Sequence, residues 1–230
     1  MNRTGAARII FITGTDTGVG KTLLTGLLLQ HLRRSGCHAL AMKPFCSGSR
    51  ADAELLRAAQ DGELTLDEIN PFFFPEPLAP LVASRMHHCS VNATDVMRRI
   101  ARLAGRCECL LIEGIGGVLV PLGEGFSVVD LATKLGCGAI VVSRNRLGTI
   151  NHTLLTIHAL KVAGIEELKT VLMPSSEADL SAASNSQLLS ELLAPVPVFE
   201  LPFLGPNPSR LEALKASQKK VKKTLAQILA

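Results

Sequence analysis

Two lysines, a threonine and two carboxylates in this chain could together manage a triphosphate. Lys21 and Thr22 close the run Gly14-Thr15-Asp16-Thr17-Gly18-Val19-Gly20-Lys21-Thr22. The apolar residues before it, from Ile9, read as a strand, and the Leu-rich residues after it read as a helix. Glycines at such a junction let backbone N–H groups converge on phosphate oxygens. A lysine at the end of the loop reaches β- and γ-phosphates, and the adjoining hydroxyl suits Mg²⁺. The helix adds its positive end. Thr15 to Val19 separate Gly14 from the Gly-Lys pair, one residue more than the usual loop, so this is a variant phosphate loop.

The other charged candidates follow strands. Lys43 comes directly after the apolar run His38 to Met42. Glu113 comes after Cys109 to Ile112 and before Gly114-Ile115-Gly116-Gly117. In open parallel sheets ligands bind outside the carboxyl ends of the strands, so both are expected on the edge that carries the loop. Mg²⁺ takes oxygen ligands, commonly one or two carboxylates with phosphate and water. Thr22, Asp52 and Glu113 could converge on one ion. Asp52 also suits a helix N-cap, and spacing alone leaves both roles open. Phosphoryl transfer asks little of a protein beyond positioning and charge.

The elements that must position these groups alternate. Strands are predicted over Arg8 to Thr13, His38 to Met42, Cys109 to Ile112, Ala139 to Ser143, Thr170 to Met173 and Val196 to Glu200. Helices are predicted over Gly20 to Arg34, Asp52 to Gln60, Pro80 to His87, Thr94 to Ala104 (capped by Thr94), Val128 to Leu135, Thr149 to Val162, Asn185 to Leu193 and from Ser209 onward. Pro44 to Ser49 reads as a loop, and Asn70 to Pro80, rich in proline and phenylalanine, as irregular. Such alternation implies an α/β domain, a mostly parallel sheet flanked by helices in three layers. The 230 residues fit a single domain, 1–230.

Composition narrows the functional classes. Hydrophobic residues make up 47% of the chain, yet no apolar run approaches the ~20 residues of a membrane helix. The short segment before the first strand leaves no room for a signal peptide, so a cytoplasmic protein is expected. The net charge of +4 owes much to Lys215, Lys219, Lys220, Lys222 and Lys223, read as the solvated face of a last helix. Trp and Tyr are absent and no nucleic-acid motif accompanies the charge, so nucleic acid is not an expected partner. The six cysteines show no Cys-x-x-Cys spacing and are expected as free thiols. The six histidines form no zinc pattern, and His158 is expected to be packed.

Further segments accompany the loop in a fixed order between residues 9 and 208. They are Lys43-Pro44-Phe45-Cys46-Ser47-Gly48, Asn70-Pro71 with Glu76-Pro77-Leu78-Ala79-Pro80, and Glu113 to Gly117. Leu147-Gly148-Thr149-Ile150-Asn151-His152 and Leu201-Pro202-Phe203 with Asn207-Pro208 follow. Together with the loop and its extra residue, this set resembles the dethiobiotin synthetase family, which has a P-loop NTPase fold. The resemblance implies an ATP- and Mg²⁺-dependent ligase of biotin biosynthesis. That ligase joins CO₂ to 7,8-diaminononanoate through a carbamate and a carbamic-phosphoric anhydride, giving dethiobiotin, ADP and phosphate.

The resemblance also implies roles. Lys21 would hold the β- and γ-phosphates, Lys43 the carbamate and transferred phosphate, and Ser47 the diamine or carbamate. Thr15, Thr17, Gly18, Val19, Gly20, Lys21, Thr22, Glu113, Gly116, Gly117, Pro202 and Asn207 would surround the nucleotide. Thr22, Asp52 and Glu113 would hold Mg²⁺. The family is a homodimer, so Leu147, Gly148, Thr149, Ile150 and Asn151 would reach the partner subunit's substrate, with main-chain N–H groups at the helix opening meeting its carboxylate. Pro174 stands where the family often has an adenine-reading Asn, and proline has no N–H to donate. Asn207 is then the remaining side chain for that role.

Three rivals share parts of the pattern. A partitioning or switch ATPase would carry a signature lysine where this chain has Asp16. A corrinoid-type amidoligase would need a glutaminase domain, for which the chain has no room. A non-catalytic nucleotide-binding partner would have no reason to keep Lys21, Lys43 and Glu113 together.

Overall fold

One six-stranded parallel sheet frames the molecule, in a computed structural model that describes residues 6–174, 179–205 and 210–230. β1 (Arg8–Gly14) leads through the phosphate loop into α1 (Lys21–Arg34), then β2 (Ala39–Met42), β3 (Phe45–Ser47) and α2 (Ala51–Ala59). α3 (Leu66–Ile69), β4 (Phe72–Phe74), α4 (Pro80–Met86) and α5 (Ala93–Ala104) precede β5 (Cys109–Glu113). An antiparallel ribbon of β6 (Pro121–Gly123) and β7 (Phe126–Ser127) opens α6 (Val128–Leu135). β8 (Ala139–Asn145), α7 (Thr149–Val162), β9 (Leu168–Pro174), α8 (Ala182–Leu193), β10 (Val198–Glu200) and α9 (Leu211–Leu229) follow.

The sheet order is β10-β9-β8-β1-β5-β2, and every pairing is parallel. Parallel strands deliver all their carboxyl ends to one edge. Register does the finer placement. Ile12 pairs with Glu113 and Met42 pairs with Ile112, so Lys43 and Glu113 leave adjacent strands at the same level, beside the loop that follows Gly14.

Burial explains why these strands read as apolar runs. Phe11, Ile12 and every residue of β5 are buried, as expected for strands covered on both faces. Each fully buried Leu, Ile or Phe contributes roughly 1.5–3 kcal/mol from area removed from water. α1 presses Leu24, Leu27 and Leu28 into the core and packs on α9. A Cβ on Gly26 would lie 2.5 Å from Leu214 Cδ1, so glycine lets the two helices approach. Gln218 on α9 donates to the Leu27 carbonyl at 3.0 Å. On the other side of α9 the five lysines are exposed, as a solvated face should be. The open edge of β2 is closed by Gln60, whose side-chain amide pairs with both the N–H and the carbonyl of Ala41 at 3.0 and 3.2 Å.

Several local expectations change. The segment after Lys43 is a strand: β3 pairs in parallel with β4, and Phe45 stacks on Phe72 at 4.9 Å. Residues 70–80 are therefore partly regular. α5 is capped by Asn92, which accepts from the Asp95 N–H at 2.9 Å, and Thr94 lies inside the helix. α8 begins at Ala182, earlier than expected, and β10 at Val198 is shorter. His158 is exposed on α7. The six cysteines form no disulfide, with Cys107 and Cys109 buried.

Candidate active site

The sheet edge carries a cavity of about 600 Å³. Its floor is the phosphate loop, its back wall holds Lys43 and Glu113, and Pro77 to Pro80 form the opposite rim. The loop is shaped by Gly20, which caps α1 in the left-handed region at φ 104°. A Cβ there would also meet Met173 at 3.0 Å. Thr17, Gly18 and Val19 all line the cavity, Val19 with its side chain buried. α1 starts directly behind, and the first N–H groups of a helix, which lack intrahelical partners, favour an anion there.

Lys21 crosses the loop. Its ammonium donates to the carbonyls of Asp16 and Gly116 at 2.7 and 2.9 Å. Burial, reinforced by the Lys43 charge, lowers its pKa to about 8. An anionic phosphate would favour the charged form, so protonation and nucleotide binding support each other. Below about pH 8 the ammonium is charged, and above it the charge is lost before any nucleotide arrives. Nucleotide affinity is therefore expected to fall by roughly tenfold between pH 7 and pH 9.5, measured by titration at constant ionic strength. A flat profile would show that Lys21 does not carry the binding.

Lys43, Glu113, Asp52 and Thr22 form one connected group. Lys43 Nζ lies 2.6 Å from Glu113 Oε1 and 3.1 Å from Asp52 Oδ2. Thr22 donates its hydroxyl to the same Glu113 Oε1 at 2.7 Å. Burial alone would lower the Lys43 pKa, but Glu113 and Asp52 outweigh it and hold the ammonium above the ordinary lysine value. The backbone at Lys43 is fixed from β4's side of the site. Its N–H donates to the Ile69 carbonyl, and Asn70 donates to the carbonyls of Lys43 and Pro44 at 3.0 and 3.3 Å.

Asp52 does not cap α2. It sits in the first turn behind Arg50, which occupies the cap position without a side-chain cap bond. Its carboxylate turns to Lys43 instead, and the helix-cap alternative falls.

The group could also hold a divalent cation. Glu113 Oε2 is buried with no hydrogen-bond partner, an acceptor in want of a cation. Among the described residues no three or more His, Cys, Asp or Glu gather as a metal cluster. An ion here would combine two carboxylates and a hydroxyl with phosphate and water, which suits Mg²⁺.

The remaining expected residues divide by position. Ser47 lines the cavity, and its hydroxyl is buried without a partner. Gly116 lines it too, while Gly117 lies outside it, where an added Cβ would come 3.4 Å from the Thr15 carbonyl. Thr15 turns its hydroxyl to Ser143 at 3.3 Å. Leu147, Gly148, Thr149, Ile150 and Asn151 do not line this cavity. Leu147 is exposed, and the buried Thr149 hydroxyl lies 2.5 Å from Ser143 Oγ. Pro202 is half-buried outside the cavity, and Asn207 lies outside the described residues.

Arg144 is a wall residue that the pattern did not single out. It lies one residue beyond the expected end of its strand and bonds the Gly18 carbonyl at 2.5 Å. Cys46 also lines the cavity, but burial pushes its thiol up to about 12, so it stays neutral and unreactive.

A family model described as an AAA domain matches residues 8–205. An ATP-dependent dethiobiotin synthetase BioD of Akkermansia muciniphila is 39% identical over 185 residues, covering 80% of this chain and 87% of the relative. The chain belongs to the dethiobiotin synthetase family. The same name is carried by a relative in Anaeromyxobacter sp. (strain Fw109-5), 44% identical over 75% of this chain and 79% of its own length. The Bacillus subtilis (strain 168) dethiobiotin synthetase is 35% identical over 90% of both chains. Two solved structures share the fold at only 14% identity. A ParA family ATPase from Chlorobium tepidum TLS has a TM-score of 0.55, covering 95% of this chain and 92% of its own. The MinC:MinD complex of Aquifex aeolicus gives 0.63, covering 97% and 96%. As a member of the dethiobiotin synthetase family, the chain is an ATP-dependent enzyme acting on small molecules.

Proposed function

We propose that this chain closes a ureido ring from 7,8-diaminononanoate and CO₂, with ATP as co-substrate and Mg²⁺ as cofactor. One observation carries the assignment of roles. A buried lysine, paired with two carboxylates, faces the space between the phosphate loop and Ser47. A simple ATPase has no need of a second buried cation on that side.

The residues divide the work. One amine attacks CO₂, loses a proton and becomes a carbamate. A carbamate oxygen attacks the γ-phosphorus, and ADP leaves. The second amine then attacks the carbamate carbon and loses a proton, the ring closes and phosphate departs. Lys21 holds the β- and γ-phosphates, and loop N–H groups from Thr17 to Thr22 complete the cradle. Lys43 offsets the negative charge shared by carbamate and phosphate, the largest kind of term available to such a site. The Ser47 hydroxyl hydrogen-bonds the carbamate or diamine. Thr22, Asp52 and Glu113 hold the metal, which when bound neutralises charge on the phosphate oxygens. Asp52→Asn is expected to raise the Mg²⁺ concentration needed for half-maximal turnover by about tenfold. An unchanged requirement would leave Asp52 as a partner of Lys43 alone.

The chain acts as one domain, residues 1–230, in the cytoplasm, and works as a homodimer. Asn151, Leu155, His158 and Val162 are exposed along one face of α7, with Leu155 60% and Val162 74% exposed. That stripe continues from the helix opening, where the Leu147 N–H donates to Asp179 and the Thr149 N–H to the Arg146 carbonyl, so the N–H groups of Ile150 and Asn151 would meet the carboxylate of the partner subunit's substrate. Leu155→Asp is expected to convert the protein to a monomer in sedimentation and to raise the KM for the diamine. A dimer that persists with unchanged KM would remove α7 from the interface.

The activity has a direct check. ATP hydrolysis should require the diamine and bicarbonate together, whereas a switch ATPase would turn over without either.

A further inference from the structure

We infer that Lys43 is an internal counter-ion that a divalent cation must displace, so that the lysine turns to substrate only after the metal is loaded. The inference rests on the metal set proposed above.

The ammonium now lies between the two carboxylates, 2.6 Å from Glu113 Oε1 and 3.1 Å from Asp52 Oδ2. Glu113 Oε1 also takes the Thr22 hydroxyl at 2.7 Å. One oxygen thus serves both donors, while the buried Oε2 serves none. Lys43 is 4% exposed and Glu113 1%, so solvent does little to screen the group. An ion held by Glu113, Asp52 and Thr22 together would compete for the space the ammonium fills. A lysine charge and a doubly charged ion a few ångströms apart repel strongly at low effective dielectric. The backbone at Lys43 is tied by Ile69 and Asn70, so the exchange is left to the side chain. Its way out is the cavity, which Lys43 already lines together with Ser47 and the phosphate loop.

This arrangement links the two ligands. Without nucleotide, the lysine competes with metal and keeps its affinity low. Metal on the carboxylates releases the ammonium into the cavity, toward the carbamate and the transferred phosphoryl group. Lys43 therefore cannot meet substrate while the carboxylates lack another cation.

The test uses Mn²⁺ alone with the full chain and no nucleotide, reading free Mn²⁺ by electron paramagnetic resonance. Lys43→Met and Lys43→Gln are compared with the unaltered chain, and Glu113→Gln and Asp52→Asn serve as controls. Both lysine variants are expected to bind Mn²⁺ about tenfold more tightly, and both controls more weakly. Lys43→Gln keeps a hydrogen-bond donor for Glu113 and guards against loss of folding. Mn²⁺ should raise its unfolding temperature more than that of the unaltered chain. Equal or weaker binding by both lysine variants, with the controls weakened, would overturn the inference and leave the metal set standing. Unchanged binding in both controls would overturn the metal set and the inference with it.

Discussion

Lys43→Ala should lower ring-forming turnover by about 10³-fold while changing nucleotide affinity little. The lysine does not belong to the phosphate loop, where Lys21 is the lysine proposed to hold the nucleotide. In the proposed mechanism the Lys43 charge meets the carbamate and the transferred phosphoryl group, which carry developing charge only in the reaction. The loss should therefore fall on kcat. A second effect follows from burial. Glu113 is 1% exposed, and removal of Lys43 leaves its charge with a hydroxyl as its remaining partner. Breaking a buried pair from one side costs about 3–5 kcal/mol, so thermal unfolding should fall as well. Steady-state kinetics with both substrates, with nucleotide titration on the same preparation, separates the two effects. Turnover within about tenfold of the unaltered enzyme would remove Lys43 from the chemistry.

Glu113→Gln should strike three properties at once. The amide keeps the shape but not the charge that holds Lys43 and would face the metal. Turnover is expected to fall by about 10²-fold, the Mg²⁺ requirement to rise, and stability to drop by about 3 kcal/mol. Asp52→Asn is the informative contrast. Its side chain is 52% exposed, so solvent screens its pairing with Lys43 and stability should change by about 1 kcal/mol or less. Denaturant midpoints and Mg²⁺ titrations on the two variants provide the comparison. Equal stability losses in both would show that burial does not set the cost of the Lys43 pairings.

Much of this site was legible because parallel strands end at a common edge. An apolar run followed by Lys43, and another followed by Glu113, fixed both residues beside the loop without any contact being known. Register then brought them to hydrogen-bond distance. The pairing of β3 with β4 left no such trace. Each strand has three residues, too short for a periodic signal, and what joins them is a contact between Phe45 and Phe72. Prolines around Phe72 to Phe74 pointed toward irregular chain. The α5 cap was misplaced because Asn92 and Thr94 are both good capping types. The Asp95 N–H bonds to Asn92. Asp52 could not be assigned from spacing, since a carboxylate in a first helical turn serves the helix wherever its oxygens point. Arg144 escaped because its value lies in a bond to the Gly18 carbonyl on a distant segment. His158 was expected inside and lies outside, on the stripe proposed to meet a second subunit.

In the proposed reading the loop and the Lys43 group make a carbon–nitrogen ligase rather than a nucleotide switch. Incubation with 7,8-diaminononanoate, ¹³C-bicarbonate, Mg²⁺ and each nucleoside triphosphate in turn tests it by product mass. Dethiobiotin carrying one ¹³C in its ureido carbon is expected, formed in step with ADP when ATP is supplied. No labelled ureido product with any nucleotide, or ADP formed without it, would rule the ligase out.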